Sequence, residues 1–199
     1  PLRVGESIVI VPSWRPWPDP QSTVEAREDD IVIRVDPGMA FGTGTHSSTS
    51  MCMRALEDHL QEGDRVIDVG CGSGILSIAA CKLGAEHVLA IDNDPVCIKI
   101  AADNTVSNEV SDRCRIRYLD SPAPIEETFD VYVSNITEPV ICSHMPDAVK
   151  LLEDDGLYIC SGFTDRSVEA VSEALAGAGL ERVDEYTEGE WRCWVAKRQ

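Results

Sequence analysis

From Asp64 onward the apolar positions follow a repeating scheme. A short β-branched run is followed by a longer stretch in which apolar residues recur every three or four positions. The short runs at 65–69, 87–91, 114–119, 129–133, 157–161 and 191–196 predict strands. The stretches 75–83, 95–107 and 139–152 predict helices between the earlier strands. One more helix is expected over 165–178, ended by Gly177 and Gly179. Short strands alternating with helices imply parallel pairing and right-handed crossovers, hence a doubly wound α/β sheet. The segment 181–186, Gly189 and the run 191–196 read as a terminal hairpin, which makes the last strand antiparallel.

Before Asp64 the pattern is less regular. Residues 7–11 read as a strand, and Pro12, Pro16, Pro18 and Pro20 then bar a helix and leave an extended lead-in. A short strand is expected at 31–35, ending at Asp36-Pro37-Gly38. A helix follows over 47–60, with Ser47 or Ser48 as cap. The organisation expected is a lead-in strand and Pro-rich linker over residues 1–35 and one domain over 36–199.

The glycine-rich segment Asp68-Val69-Gly70-Cys71-Gly72-Ser73-Gly74 joins the strand at 65–69 to the helix that opens at Ile75. Glycines let the backbone turn tightly and approach a ligand with no Cβ in the way. Backbone N–H groups beside a helix N-terminus suit a carboxylate or a phosphate. The spacing is acidic-x-G-x-G-x-G, not the G-x-G-x-x-G of dinucleotide sites, and it points to S-adenosylmethionine. Asp68 is placed to act on the amino group of a methionine moiety, directly or through water. Gly70 and Gly72 form the turn around that moiety. Asp92 ends the second strand, where a carboxylate can accept both ribose hydroxyls. After the third strand an adenine amino group needs an acceptor, and Asp120 and Ser121 are the candidates. A solvated turn ahead of Pro122 accounts for these two equally well. Asn135 follows an apolar strand at the carboxyl edge, where open α/β sheets bind ligands.

Charge narrows the partners. There are 35 acidic and 17 basic residues, a net charge of −18. Such a surface repels nucleic-acid phosphates and favours a basic protein, although acidity also serves solubility alone. The eight cysteines show no CxxC pair and no zinc spacing with histidine. They read as reduced, buried thiols of a cytosolic protein. No metal is expected. No apolar run approaches the roughly 18 residues of a membrane span, no signal-peptide pattern opens the chain, and the absence of an initiating Met suggests trimming or processing.

Two further segments carry a family resemblance. Upstream stands Asp36-Pro37-Gly38-Met39-Ala40-Phe41-Gly42-Thr43-Gly44-Thr45-His46, followed by Ser47-Ser48-Thr49; downstream stands Val133-Ser134-Asn135-Ile136. With Asp68–Gly74 and Asp92, these resemble the PrmA family of class I methyltransferases, which methylates large-subunit ribosomal protein eleven. The resemblance runs from about Ser7 to Trp191. It implies a Rossmann-like catalytic domain that takes S-adenosylmethionine and releases S-adenosylhomocysteine. Phe41 would line the cofactor site and Thr49 would hydrogen-bond the methionine end. Gly70 would lie in the cofactor turn, Asp92 would hold the ribose, and Asn135 would border both the methyl group and the incoming amine. His46 would orient ligand or serve the structure alone. The family's N-terminal substrate-recognition domain is not in this chain, which begins near where that domain's linker would end. Asn135-Ile136-Thr137 also departs from the family's usual Asn-Ile/Leu-Leu/Tyr.

Competing classes are an arginine methyltransferase, a small-molecule N-methyltransferase, a non-catalytic cofactor-binding domain and a nucleic-acid methyltransferase. The first needs paired glutamates near the fourth strand, where only Glu138 stands. The last is opposed by the charge and by the missing Asn-Pro-Pro-aromatic run.

Overall fold

The computed structural model describes residues 1–36, 44 and 46–198. Three short strands come first: β1 (Leu2–Val4), β2 (Ile8–Val11) and β3 (Ile31–Arg34). β2 pairs antiparallel with β1 and parallel with β3. β1 has no counterpart in the sequence reading, because three residues are too few to show a period.

Helix α1 (Ser47–His59) leads into the main sheet. The elements then follow as β4 (Arg65–Val69), α2 (Ile75–Lys82), β5 (His87–Asp92), α3 (Pro95–Ser107), β6 (Cys114–Tyr118), β7 (Phe129–Asn135), α4 (Glu138–Leu151), β8 (Leu152–Thr164), α5 (Val168–Gly177), β9 (Leu180–Glu188) and β10 (Trp191–Arg198). The strand order is β6-β5-β4-β7-β8-β10-β9. β10 runs antiparallel to both its neighbours, and every other pairing in this seven-stranded sheet is parallel. The expected doubly wound sheet with an antiparallel C-terminal strand is therefore present.

The strands read as continuous apolar runs because helices cover both faces. Along β4, Val66 faces one layer while Ile67 and Val69 face the other. Val66 packs with α1, α2 and the N-terminal strands through Met51, Leu56, Ile78, Ile8 and Ile33. Ile67 and Val69 pack with α4 and α5 through Ile141, Met145, Val171 and Leu175. Burying each such side chain contributes about 1.5–3 kcal/mol. Asp68, the polar residue between Ile67 and Val69, shares the α2 side and accepts from Ser77 there.

β8 runs well beyond the expected 157–161, because pairing with β7 and β10 extends it through polar residues at both ends. The cap of α1 is His46 rather than a serine: its Nδ1 accepts the Ser48 N–H at 3.3 Å, and its ring meets Trp191 edge-on at 4.6 Å. Asp94 caps α3 by accepting the Val96 N–H at 2.8 Å. Among the described residues, no helix is long and apolar enough to cross a membrane.

Candidate functional site

The site lies at the carboxyl edge of the sheet, where β4 and β5 on one side and β7 on the other give rise to loops that diverge. The turn after β4 is fixed first. The N–H groups of Gly70 and Cys71 both donate to the Ile91 carbonyl, at 2.9 and 3.0 Å. Asp92 Oδ2 then accepts the Gly72 N–H at 2.9 Å, and its Oδ1 accepts the Asp94 N–H at 2.9 Å. Asn104 Nδ2 of α3 donates to the Ser73 carbonyl at 2.8 Å. A carboxylate has about four acceptor positions, so Asp92 holds the turn and retains capacity for two ligand hydroxyls.

Gly70 sits at φ +77°, and a Cβ there would overlap Ile136 Cγ2. Gly70→Ala should therefore strain the backbone and displace Ile136 together, at a cost of about 1–3 kcal/mol. Urea unfolding measures this loss; an unchanged midpoint would mean that the turn tolerates a side chain.

Two cavities open around the turn and share Gly70, Asp92, Asn93 and Ile136 as walls. The first, about 470 Å³, extends toward Leu119, Asp120, Ser121, Val140 and His144. The second, about 250 Å³, extends toward Thr49, Gly72, Leu76, Cys97 and Asn135. Together they form one cleft with Asp92 and Ile136 at its waist, in the size range of small-molecule sites. Leu119 and Ile91 give the first cavity apolar walls, and exposed Asp120 stands at its mouth.

At the opposite end, Asn135 Nδ2 donates to Thr49 Oγ1 at 3.1 Å, joining the end of β7 to the first turn of α1. Asn135 Oδ1 is buried with no partner among the described residues. An orphaned carbonyl oxygen in a cleft wall is an open acceptor, and leaving it unpaired costs about 1–3 kcal/mol.

Asp68 lies beneath the turn and lines neither cavity. It is fully buried, with Ser77 Oγ donating to Oδ2 at 2.6 Å while Oδ1 has no partner among the described residues. Burial, reinforced by the nearby Asp92 charge, pushes its carboxyl up to about 7. Burial also raises the thiols of Cys71 and Cys97, with Asp68 and Asp92 adding to the effect at Cys71 and Asp92 at Cys97. Both thiols therefore stay protonated beside the site and are not nucleophiles there.

The structure thus gathers Thr49, Gly70, Gly72, Asp92, Asp120 and Asn135 around one cleft and sets Asp68 just under its floor. Phe41 lies outside the described residues. Sequence reasoning missed Ile136, which walls both cavities, and Val140 and His144, which meet the first cavity from α4. Their i, i+4 spacing on one helix face is a signal, but one shared with any core-facing helix. Ser77, the partner of Asp68, carried no signal beyond its position on α2.

A doubly wound sheet of this strand order, with an acidic glycine turn after one strand and a carboxylate at the end of the next, defines a Rossmann-like fold of the class I methyltransferase kind. The family model for ribosomal protein L11 methyltransferase (PrmA) matches residues 1–199, and the chain belongs to that family. Relatives named ribosomal protein L11 methyltransferase include one from Heliobacterium modesticaldum, 42% identical over all of this chain and 60% of its own length. Another, from Anoxybacillus flavithermus, is 41% identical over all of this chain and 62% of its own length. The chain thus spans about three-fifths of the curated relatives it matches. A crystal structure of a ribosomal protein L11 methylase from Lactobacillus delbrueckii subsp. bulgaricus superposes with a TM-score of 0.91 at 30% identity, covering 100% of this chain and 98% of that one. A TehB-like SAM-dependent methyltransferase from Corynebacterium glutamicum, at 21% identity and a TM-score of 0.61 over 74% of this chain and 87% of that one, shares the fold.

Proposed function

We propose that this chain is the catalytic part of an S-adenosylmethionine-dependent protein N-methyltransferase acting on ribosomal protein L11. The observation that carries this reading is the single cleft that has the Asp92 carboxylate at its waist and, at one end, the buried Asn135 Oδ1, which has no partner among the described residues. Residues 36–199 make up the cofactor-binding domain in this reading, and residues 1–35, expected to be a lead-in strand and linker, add three strands that pack into its core. The net charge of −18 suits a basic protein substrate and opposes nucleic acid. In this reading the enzyme would work in the cytoplasm, where a ribosomal protein substrate is made.

The residues present fit the cofactor. Asp92 would accept the ribose hydroxyls, and the apolar walls with Asp120 or Ser121 would take the adenine. Gly70, Gly72 and Thr49 would border the methionine end. Bound there, S-adenosylmethionine supplies a methyl group activated by its sulfonium. Asn135 Oδ1 would accept an N–H of the substrate amine and so aim the nitrogen lone pair along the cleft. Alignment of this kind can lower a barrier by up to roughly 7–11 kcal/mol. The surplus proton would leave to solvent after transfer. Glu138 alone does not make the paired-glutamate site that a guanidinium ligand needs.

Calorimetric titration with S-adenosylmethionine, with NAD as control, tests the cofactor. Incubation with recombinant ribosomal protein L11 and methyl-labelled cofactor tests the substrate. Binding of NAD alone, or no label on any ribosomal protein, would end this reading.

Asp68 gives the reading a pH signature. Its folded value of about 7 exceeds the ordinary 3.8, so between those values the folded protein holds a proton that the unfolded chain has lost. Stability from this group is full below about 4 and is lost as pH rises through 7. A cationic cofactor amino group close by would favour the ionised form, so affinity should rise between pH 6 and 8. Asp68→Asn should flatten both trends, as read by urea unfolding and calorimetry at pH 5, 6 and 8. Parallel pH profiles in the two proteins would remove Asp68 from either role.

A further inference from the structure

Asn135 closes β7 opposite Ser161 of β8, and the next residue, Ile136, donates its N–H to the Ser161 carbonyl at 3.1 Å. Directly beneath Ile136 is Gly162, at φ +96°. A Cβ on Gly162 would overlap the Ile136 carbonyl oxygen and lie 2.8 Å from its carbonyl carbon and 3.0 Å from its nitrogen. All three atoms are backbone, so no rotamer change relieves the overlap and the whole turn must lift. β8 has little freedom to retreat. It is paired on both edges, and Ser161 Oγ donates to the Arg192 carbonyl of β10 at 2.7 Å. On its other side the Ile136 side chain rests over Gly70. Ile136 is thus gripped between two glycines, its backbone on one and its methyl on the other, immediately after the residue whose amide lies 3.1 Å from Thr49.

We infer that Gly162, which lines neither cavity, is a positioning residue for methyl transfer: it seats the Ile136 backbone on β8 and so sets where Asn135 meets the acceptor amine. The inference rests on the methyltransferase reading. A substitution at Gly162 should move Ile136 and Asn135 by a fraction of an ångström to an ångström while leaving Asp92, which Gly162 does not touch, in place. Displacements of that size cost up to roughly a hundredfold in rate.

The test compares wild type, Gly162→Ala, Asn135→Ala and the double variant, measuring S-adenosylmethionine affinity by calorimetry and kcat with ribosomal protein L11. Gly162→Ala should lower kcat about 10- to 100-fold and change cofactor Kd by less than about threefold. In the Asn135→Ala background the same change should cost less than about threefold, because its effect passes through Asn135. An undiminished kcat, or a full additional loss in the double variant, overturns the inference. If Gly162→Ala shows no cooperative unfolding transition, hydrogen exchange of the wild-type Ile136 amide decides. Slow exchange supports a clamped peptide, and exchange at the unprotected rate overturns it. A wild type that fails to bind S-adenosylmethionine defeats the underlying reading instead, and is recognised by that result alone.

Discussion

Asp92→Ala should weaken S-adenosylmethionine binding by roughly a hundredfold to ten-thousandfold, the largest effect expected of any single change here. Each hydrogen bond to a charged acceptor contributes about 1.5–3 kcal/mol, and two ribose hydroxyls converge on this carboxylate in the proposed complex. Their joint loss, about 3–6 kcal/mol, corresponds to the stated range. The same carboxylate also accepts the Gly72 and Asp94 N–H groups, so its removal loosens the turn that would carry the methionine end. Asp92→Asn separates the two contributions. It keeps one oxygen acceptor for a backbone N–H or a hydroxyl, and should fall between wild type and alanine in affinity. Calorimetry reports the binding loss and urea unfolding the structural one. Wild-type affinity in Asp92→Ala would show that the ribose is held elsewhere.

Asp92 was legible in the sequence because everything that defines it is local: an apolar strand, its carboxyl end, and a helix cap two residues on. The glycine turn was legible for the same reason, since strand, glycines and helix are contiguous. Asp94 as a cap follows from the proline at the first helical position. Other features depend on contacts between distant segments. Asn135 and Thr49 are separated by 86 residues, and their adjacency arises only when β7 and α1 pack across the sheet. The strand pattern placed Asn135 at the ligand edge, while Thr49 came from family resemblance alone. Gly162 lies in an apolar run and looks like any strand glycine until the Ile136 backbone is laid over it. Ser77 was hidden in a similar way, because a serine in a buried helix has meaning only through the Asp68 carboxyl across the layer. His46 was read as orienting ligand or serving the structure alone; it caps α1, a role for which serine and aspartate are the usual choices. The length of β8 eluded the pattern because its polar ends are held by backbone pairing, which leaves no trace in side-chain polarity.

Asn135→Ala should separate activity from both cofactor binding and stability. Its Oδ1 is buried without a partner among the described residues, and removing a polar atom buried in that way relieves about 1–3 kcal/mol. Against this, the variant leaves the buried Thr49 hydroxyl without the Asn135 amide, a cost of similar size. The two nearly offset, and the thermal midpoint should shift little. Cofactor affinity should change by less than about threefold, since Asp92 and the glycine turn are untouched. Turnover should instead fall roughly 100- to 1000-fold, the scale seen when one oriented polar group at a reacting centre is lost. Single-turnover methyl transfer to ribosomal protein L11, with cofactor saturating, isolates that step. A matching fall in affinity would make Asn135 a cofactor ligand, and an undiminished rate would leave it a wall of the cleft. That oxygen favours neither outcome: in the proposed complex an acceptor with no partner among the described residues, at the end of a cavity, is satisfied by what enters, and the group entering opposite the methyl would be the amine.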